Sequence, residues 1–408
     1  MLDNKESGKV INGSQNPPLG GRGAVAKRLE GIGEYYFSQK LREIEELNKQ
    51  GKNILNLGIG SPDLPPHPDV IKTLQEESSK LNTHAYQSYK GSPLFRKAIA
   101  DWYSTWYNVT LNPDTEILPL LGSKEGIMHI CMTYFEEGVS VLVPNPGYPT
   151  YASAVRLSGA TPLLYELTEE HDYEPDFDTL TKVIADSKTP IKGMFVNYPQ
   201  MPTGKNGNKE LFQKIVAFAK ANNLLIIHDN PYSFILNEEP ISLLSVEGAK
   251  EVVIELNSLS KSHNMAGWRI GMLCSAKEKI DEVLRFKSNM DSGMFLPVQL
   301  AAATAMGLSK DWYNSINETY SARRIKVFEM LDMLGCVYSK NQVGLFVWAS
   351  VPEQYKDGYA LSDEILYNKN VFITPGGIFG TAGNSYIRVS LCGSIERFDE
   401  AIQRIKNL

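Results

Sequence analysis

Seven short apolar runs lie in the middle of the chain, each four or five residues long and several of them rich in Val and Ile. They cover residues 117–121, 139–143, 162–165, 193–197, 224–228, 252–256 and 270–274. Runs of this length without polar alternation are typical of strands that are covered on both faces, as in a mostly parallel sheet.

Helical patterns separate most of these runs. One begins at Ser92-Pro93, where Ser suits the N-cap and Pro the first turn, and others cover residues 123–135, 209–221 and 276–290. Alternating strands and helices favour an α/β fold. We therefore predict a large domain built on a mostly parallel, seven-stranded sheet.

The pattern changes on both sides of this region. Apolar residues at helical spacing begin near Ala24 and continue to Leu47, which predicts an N-terminal helix. After about Pro297 a long helical region runs to Leu334. Two further strand candidates follow, at residues 345–349 and 386–391, with a helix between them. A final helix is predicted near residues 395–405.

The chain has 408 residues, more than the ~250–300 residues at which single domains stop growing, so two domains are expected. We expect a large domain over residues 62–297 and a smaller α+β domain formed by residues 24–61 and 298–408. Residues 1–23 are polar and rich in Gly, Asn, Ser and Pro, and we expect them to form a flexible N-terminal arm.

The composition limits the class of protein. The net charge of −6 argues against a nucleic acid or an anionic membrane as the main partner. The first residues lack the apolar stretch of a signal peptide, and no run approaches the ~20 apolar residues of a membrane span. Four cysteines and six histidines are scattered without metal-ligand spacing, which predicts free thiols and no metal site. We expect a cytoplasmic protein.

Polar clusters follow the ends of several predicted strands, where open α/β sheets bind their ligands. Residues 122–126 form a small-residue turn that opens a helix, which suits either a bound phosphate or an ordinary N-cap. Residues 145–151 and 197–204 are stiffened by Gly and Pro, and each is equally well explained as a rigid loop.

Two further clusters carry charged residues. Asp229 ends an apolar strand, where its carboxylate needs a cationic or N–H partner to offset desolvation. Residues 257–271 place Lys261 in a serine-rich turn between strands, where partial desolvation would make a neutral, nucleophilic amine accessible. Arg269 can hold a phosphate with its two-pronged guanidinium. Taken singly, a surface lysine and a structural arginine explain these residues as well.

Residues 258–271 resemble the Ser-x-Ser-Lys…Gly-x-Arg-x-Gly signature of class I and II aminotransferases, which are fold type I enzymes dependent on pyridoxal 5'-phosphate (PLP). The other four clusters match that family in the same order, from about Tyr35 to the C-terminus. The resemblance implies transfer of an amino group between an L-amino acid and a 2-oxo acid. It is strongest to the branch that acts on aspartate, alanine or LL-diaminopimelate.

The resemblance also implies roles for single residues. The implied catalytic residues are Lys261, Asp229 and Tyr232. Lys261 would form the Schiff base and shuttle a proton, Asp229 would pair with the pyridine nitrogen, and Tyr232 would hydrogen-bond the phenolic oxygen. The other implied cofactor contacts are Ser123, Lys124, Tyr148, Ser258, Ser260, Arg269 and Tyr86. Tyr86 would reach the phosphate of a second subunit, which implies a homodimer. The implied substrate contacts are Arg388, Gly60 and Tyr35.

One position departs from the family pattern. Met201 stands before Pro202-Thr203-Gly204 where the family usually has an asparagine that bonds the phenolic oxygen. A thioether donates no hydrogen bond, so we expect the pKa of the cofactor imine to be raised. Gln200 or Asn197 is a candidate to replace the missing donor.

Other functions share these motifs. A C–S lyase or a related elimination enzyme on the same fold needs the same residues. A transcription regulator would carry a DNA-binding domain, but only some 30 residues precede the first matched segment and the chain is acidic. A degenerate, inactive homologue is disfavoured because Lys261, Asp229, Arg269 and Arg388 are all present.

Overall fold

The computed structural model describes residues 26–29, 32–34 and 36–406. The strands of these residues are, in chain order, β1 (Leu55–Asn56), β2 (Ile117–Leu120), β3 (Ser140–Asn145), β4 (Thr161–Glu166), β5 (Ile191–Asn197), β6 (Leu225–Asp229), β7 (Val253–Ser258), β8 (Gly271–Cys274), β9 (Phe346–Ser350), β10 (Val371–Phe372), β11 (Thr374–Pro375) and β12 (Tyr386–Ser390).

The helices of the described residues connect or cover these strands. They are α1 (Tyr36–Lys49), α2 (Pro68–Ser78), α3 (Pro93–Tyr107), α4 (Ser123–Tyr134), α5 (Pro149–Leu157), α6 (Phe177–Asp186), α7 (Lys209–Asn222), α8 (Leu259–Ser262), α9 (Lys277–Lys287), α10 (Leu296–Met306), α11 (Lys310–Met333), α12 (Gly358–Lys369) and α13 (Ile395–Ile405).

The central sheet has seven strands in the order β2-β8-β7-β6-β5-β3-β4. Strand β8 runs antiparallel to both of its neighbours, and the other pairs are parallel. The predicted α/β fold with a mostly parallel, seven-stranded sheet is confirmed, and all seven predicted strands form within two residues of their expected ends. The carboxyl ends of β3, β5, β6 and β7 therefore meet at one edge.

Both faces of this sheet are covered by helices. On one face, apolar residues of β2, β3 and β7 pack with Ile127 and Ile130 of α4 and with α5 and α9. On the other face, β5 and β6 pack with Phe95 and Ile99 of α3 and with α7. Two-sided burial explains why the strands read as continuous apolar runs.

A second, smaller sheet has the order β11-β12-β9 and is antiparallel. Strands β1 and β10 form a separate parallel pair, which joins the segment after α1 to the C-terminal part of the chain. The core of this part is continuous with one face of the large sheet. The division into domains at residues 61–62 and 297–298 stays a prediction.

The long helical region predicted after Pro297 forms as two helices, since α10 ends at Met306 and α11 begins at Lys310. The helix expected from Ala24 begins only at Tyr36, after a single 3-10 turn at Lys27–Leu29. The glycines at positions 31 and 33, which lie between the 3-10 turn and α1 in the sequence, disfavour helix formation there. The arm at residues 1–23 lies outside the described residues.

Cysteines and membrane spans agree with the prediction as far as the chain is described. All four cysteines are free, with Cys131, Cys274 and Cys336 buried and Cys392 half-buried. Within residues 26–29, 32–34 and 36–406, no helix is both long and apolar enough to cross a bilayer.

Candidate active site

A cavity of about 500 Å³ opens at the carboxyl edge of the central sheet, between that edge and the smaller sheet. Eleven of the thirteen predicted site residues line it, namely Gly60, Ser123, Lys124, Tyr148, Asp229, Tyr232, Ser258, Ser260, Lys261, Arg269 and Arg388. They come from the start of α4, the turn of α8, strand β12, and segments at or after the ends of β1, β3, β6 and β7 or just before β8. The topology thus brings together five clusters that are far apart in sequence.

Asp229 is buried at the end of β6 with its two carboxylate oxygens in different environments. Oδ2 accepts a hydrogen bond from the Tyr151 hydroxyl at 2.7 Å. Oδ1 is buried with no hydrogen-bond partner among the described residues. Burial raises the pKa of Asp229 to about 6, while the Tyr151 hydrogen bond, His228 and Lys261 all act to lower it. One oxygen is therefore held in place and the other is left for a donor in the cavity.

His228 precedes Asp229 and is fully buried with Glu255. Its Nδ1 lies 2.8 Å from the Glu255 carboxylate and its Nε2 lies 3.1 Å from the Tyr198 carbonyl oxygen. Glu255 also accepts hydrogen bonds from three other donors, the Tyr103 hydroxyl, the Ser242 hydroxyl and the Leu243 N–H. Both ring nitrogens of His228 thus face acceptors, and the ring stands next to Asp229, whose pKa its electrostatic effect lowers.

Lys261 lies in the short helix α8, half-buried at the cavity wall. Its Nζ donates to the Gly60 carbonyl oxygen at 2.7 Å. Burial lowers the pKa of Lys261, and Arg388 and Arg269 lower it further against the opposing effects of Cys392 and Asp229. A lysine with a lowered pKa supplies a neutral amine more readily near neutral pH.

An anion-binding corner lies at the N-terminus of α4. Gly122 precedes the helix with φ +91°, and a Cβ placed there would lie 2.2 Å from Nη2 of Arg269. Glycine therefore lets the guanidinium approach the first turn, where Ser123 and Lys124 stand. Across the corner, Ser258 caps α8 by accepting from the Ser260 N–H at 3.1 Å. Cations, hydroxyl groups and free helix N–H groups together suit a phosphate group.

Arg388 lies in the middle of β12 and is buried, with 3% of its surface exposed. Its Nη2 donates to the Gly58 carbonyl oxygen at 2.8 Å, and its Nη1 lies 3.2 Å from the Met201 sulfur. The guanidinium carbon stands over the Phe346 ring at 3.8 Å from its centre and over the Phe379 ring at 4.6 Å. Aromatic faces hold the guanidinium by cation–π attraction, and a guanidinium group can bind a planar anion such as a carboxylate.

The two candidates to replace the donor missing at Met201 are both engaged elsewhere. Gln200 donates to the Pro146 carbonyl oxygen at 2.9 Å and accepts from the Thr203 N–H and hydroxyl. Asn197 donates to the Asp229 carbonyl oxygen at 2.7 Å and accepts from the Met201 N–H. Gln200 does not line the cavity, whereas Asn197 does. Met201 itself contacts Arg388 through its sulfur.

The last two of the thirteen predicted site residues have a different standing. Tyr86 is 91% exposed and does not line the cavity of its own chain, so its predicted contact with the phosphate of a second subunit stays a prediction. Tyr35 lies outside the described residues, so its predicted role stays a prediction.

Sequence reasoning missed several residues of the site. Tyr151 was part of the 145–151 cluster, yet no local pattern shows that its hydroxyl reaches β6, 78 residues later. Phe37, Phe346 and Phe379 surround Arg388 from three separate segments. Isolated aromatic residues of this kind are read as core residues until the fold is known.

The fold and the cavity define the class of protein, an α/β enzyme with a desolvated lysine and an anion-binding turn at one sheet edge. Residues 52–405 match the model of the aminotransferase class I and II family. The chain belongs to this family and is an aminotransferase with the fold type I architecture.

Its similarity to individual members extends over nearly the whole chain. It is 38% identical to an LL-diaminopimelate aminotransferase from Dehalococcoides mccartyi over 94% of this chain and 98% of that protein. It is 37% identical to an LL-diaminopimelate aminotransferase from Aquifex aeolicus, covering 93% of this chain and 98% of the relative. The solved structure of substrate-bound BacF from Bacillus subtilis superposes with a TM-score of 0.88 at 33% identity, covering 95% and 98% of the two chains.

We predict that Tyr151→Phe raises the pKa of Asp229 above about 6, because the ionised carboxylate loses a hydrogen bond that favours it. A shift of roughly one unit is expected, equivalent to the ~1.4 kcal/mol of such a bond. Infrared spectra of protein labelled with ¹³C-aspartate, taken against Asp229→Asn, would follow the titration. Tyr165→Phe is the control, since that hydroxyl bonds the Phe195 carbonyl instead. Equal pKa values in both variants would contradict the assignment.

Proposed function

We propose that this aminotransferase uses PLP to move an amino group between an L-amino acid and a 2-oxo acid. The observation that carries the proposal is the pairing, in one cavity, of a desolvated lysine with a buried carboxylate oxygen that has no partner among the described residues. The ring N–H of a pyridinium would satisfy that oxygen. The α4 corner with Arg269 would hold the phosphate, and Tyr148 would stack on the ring.

Bound PLP supplies an aldehyde for the amino group and a conjugated ring that takes up the electron pair left at the substrate Cα. The protein's own residues do the rest. Arg388 orients the substrate α-carboxylate through its guanidinium group. Lys261 Nζ, whose pKa is lowered, accepts the proton from the substrate Cα as a general base. It then donates a proton as a general acid, which completes the transfer of the amino group. Tyr232, whose pKa is raised by burial, stays protonated and donates to the phenolic oxygen.

The substrate proposal starts from three classes, which are aspartate-like, alanine-like and diaminopimelate-like amino acids. The curated relatives carry the name LL-diaminopimelate aminotransferase, which makes that donor one of those to test. Conservation of a fold does not fix the side chain that a cavity accepts.

We further propose a cytoplasmic homodimer. Four free cysteines and no disulfide among the described residues are typical of a reducing compartment. Large exposed apolar side chains, which we name the dimer patch, occur in two segments: Leu81, Tyr86, Tyr89, Leu94, Met290 and Phe295. These segments meet, since the rings of His84 and Phe295 lie 5.8 Å apart. A patch of this kind favours a protein partner, and self-association would bring Tyr86 to a second cavity.

Lys261→Ala should stop the transfer, because the amine that moves the proton is removed. In the wild type, an amino acid should convert the visible absorbance of the PLP-loaded enzyme, and an oxo acid should restore it. We expect a loss of at least about 100-fold in the rate of conversion in Lys261→Ala. Lys182→Ala, which removes an exposed lysine of α6, is the control. Unchanged cycling in Lys261→Ala, or no PLP binding by the wild type, would refute the proposal, and conversion without return would indicate a lyase.

The dimer patch should carry the association. We expect sedimentation velocity at micromolar concentration to give about twice the chain mass of 45.5 kDa. The double variant Leu81→Glu/Leu94→Glu should dissociate, because it places charges in an apolar contact. Ile325→Glu, at a residue that is 65% exposed on α11, is the control and should remain dimeric. A monomeric wild type would rule the homodimer out.

A further inference from the structure

The cavity has two parts with different chemistry. The inner part, towards the ends of β6 and β7, holds Asp229, Lys261, Arg269 and Lys124. The other part, which we name the outer pocket, is bounded by apolar side chains of α1, β9 and three loops: Phe37, Leu41, Ile59, Met201, Phe346 and Phe379. Ser38 and Ser61 also line the cavity.

Arg388 forms the base of the outer pocket. Its guanidinium carbon lies 3.8 Å, 4.6 Å and 5.6 Å from the ring centres of Phe346, Phe379 and Phe37. A substrate whose carboxylate binds the guanidinium must therefore send its side chain past aromatic and aliphatic walls. The geometry ties the position of the α-carboxylate to apolar surroundings for the side chain.

Charge at the far end of the substrate has no partner in the outer pocket. Among the described residues that line it, none except Arg388 is acidic or basic. A second ammonium or carboxylate would lose its water there without an opposite charge, which disfavours binding. An apolar side chain instead gains about four-fold in affinity for each methylene group removed from water.

Lys124 is the cation that an acidic side chain would have to reach. It lies in the first turn of α4 beside Ser123, in the anion-binding corner with Arg269. A phosphate group in that corner carries enough negative charge to engage both cations. A phosphate bound in the corner would therefore compete with an acidic side chain for Lys124.

We infer that the amino donor of this enzyme is a monocarboxylic L-amino acid with an uncharged, apolar side chain, aliphatic or aromatic, and that the outer pocket selects it. The inference rests on the proposed aminotransferase function. Within the outer pocket, Leu41 of α1 is the residue whose replacement changes the charge of the wall with least disturbance, because it is 44% exposed.

Single-turnover absorbance changes of the PLP-loaded wild type test the inference with five donors: L-phenylalanine, L-leucine, L-alanine, L-aspartate and LL-diaminopimelate. L-phenylalanine and L-leucine should convert at least tenfold more efficiently than L-aspartate and LL-diaminopimelate. Faster conversion by either charged donor would overturn the inference and leave the aminotransferase proposal intact. Failure with every donor would instead refute the proposed function.

Leu41→Lys gives a second test, since it adds a cation to the wall. We expect conversion with L-leucine to fall at least tenfold and the ratio of L-aspartate to L-leucine to rise. Gln39→Lys is the matched control, because it adds the same charge to the exposed side of α1 outside the cavity and should leave the ratio unchanged. Circular dichroism and PLP content of both variants report on folding. An unchanged ratio in a folded Leu41→Lys would contradict a selecting role for the wall.

Discussion

Burying the Asp229 carboxylate at the end of β6 costs desolvation free energy, and the surrounding structure is arranged to offset that cost. Tyr151 donates to one oxygen, and the neighbouring His228, which is paired with Glu255, also acts to lower the pKa of Asp229. These partners only partly compensate, since the pKa remains raised to about 6. The remaining oxygen has no hydrogen-bond partner among the described residues. In the proposed function, a cationic ring N–H would bond this oxygen and complete the balance.

The positive groups of the cavity lie on different elements. Lys124 and Arg269 lie at the N-terminus of α4, Lys261 lies in α8, and Arg388 lies against aromatic rings. Arg388 and Arg269 disfavour a charged Lys261, which helps to keep its amine neutral. Like charges near a desolvated amine thus favour its neutral form, which is the nucleophilic one.

The strands of the central sheet were predictable from the sequence because strands buried on both faces are continuous apolar runs. All seven strands were found as apolar runs, and the polar clusters after them were recognised because strand ends of a parallel sheet converge. Contacts set by tertiary structure were not accessible in this way. Neither the Tyr151–Asp229 hydrogen bond nor the ring enclosure of Arg388 has a local signature. Apolar periodicity alone predicts an N-terminal helix from Ala24, but the helix begins at Tyr36, after two glycines that disfavour helix formation.

The role of Asp229 as an ionised partner of the cofactor ring is tested most directly by the pH dependence of PLP affinity in cofactor-free protein. Asp229 is ionised above its pKa of about 6 and protonated below it. Wild-type affinity relative to Asp229→Asn should therefore be constant above about pH 7 and fall towards tenfold per unit below about pH 6. The ratio to Asp229→Asn removes the titration of PLP itself. A ratio that does not change between pH 5 and pH 8 would contradict an ionised Asp229 beneath the ring.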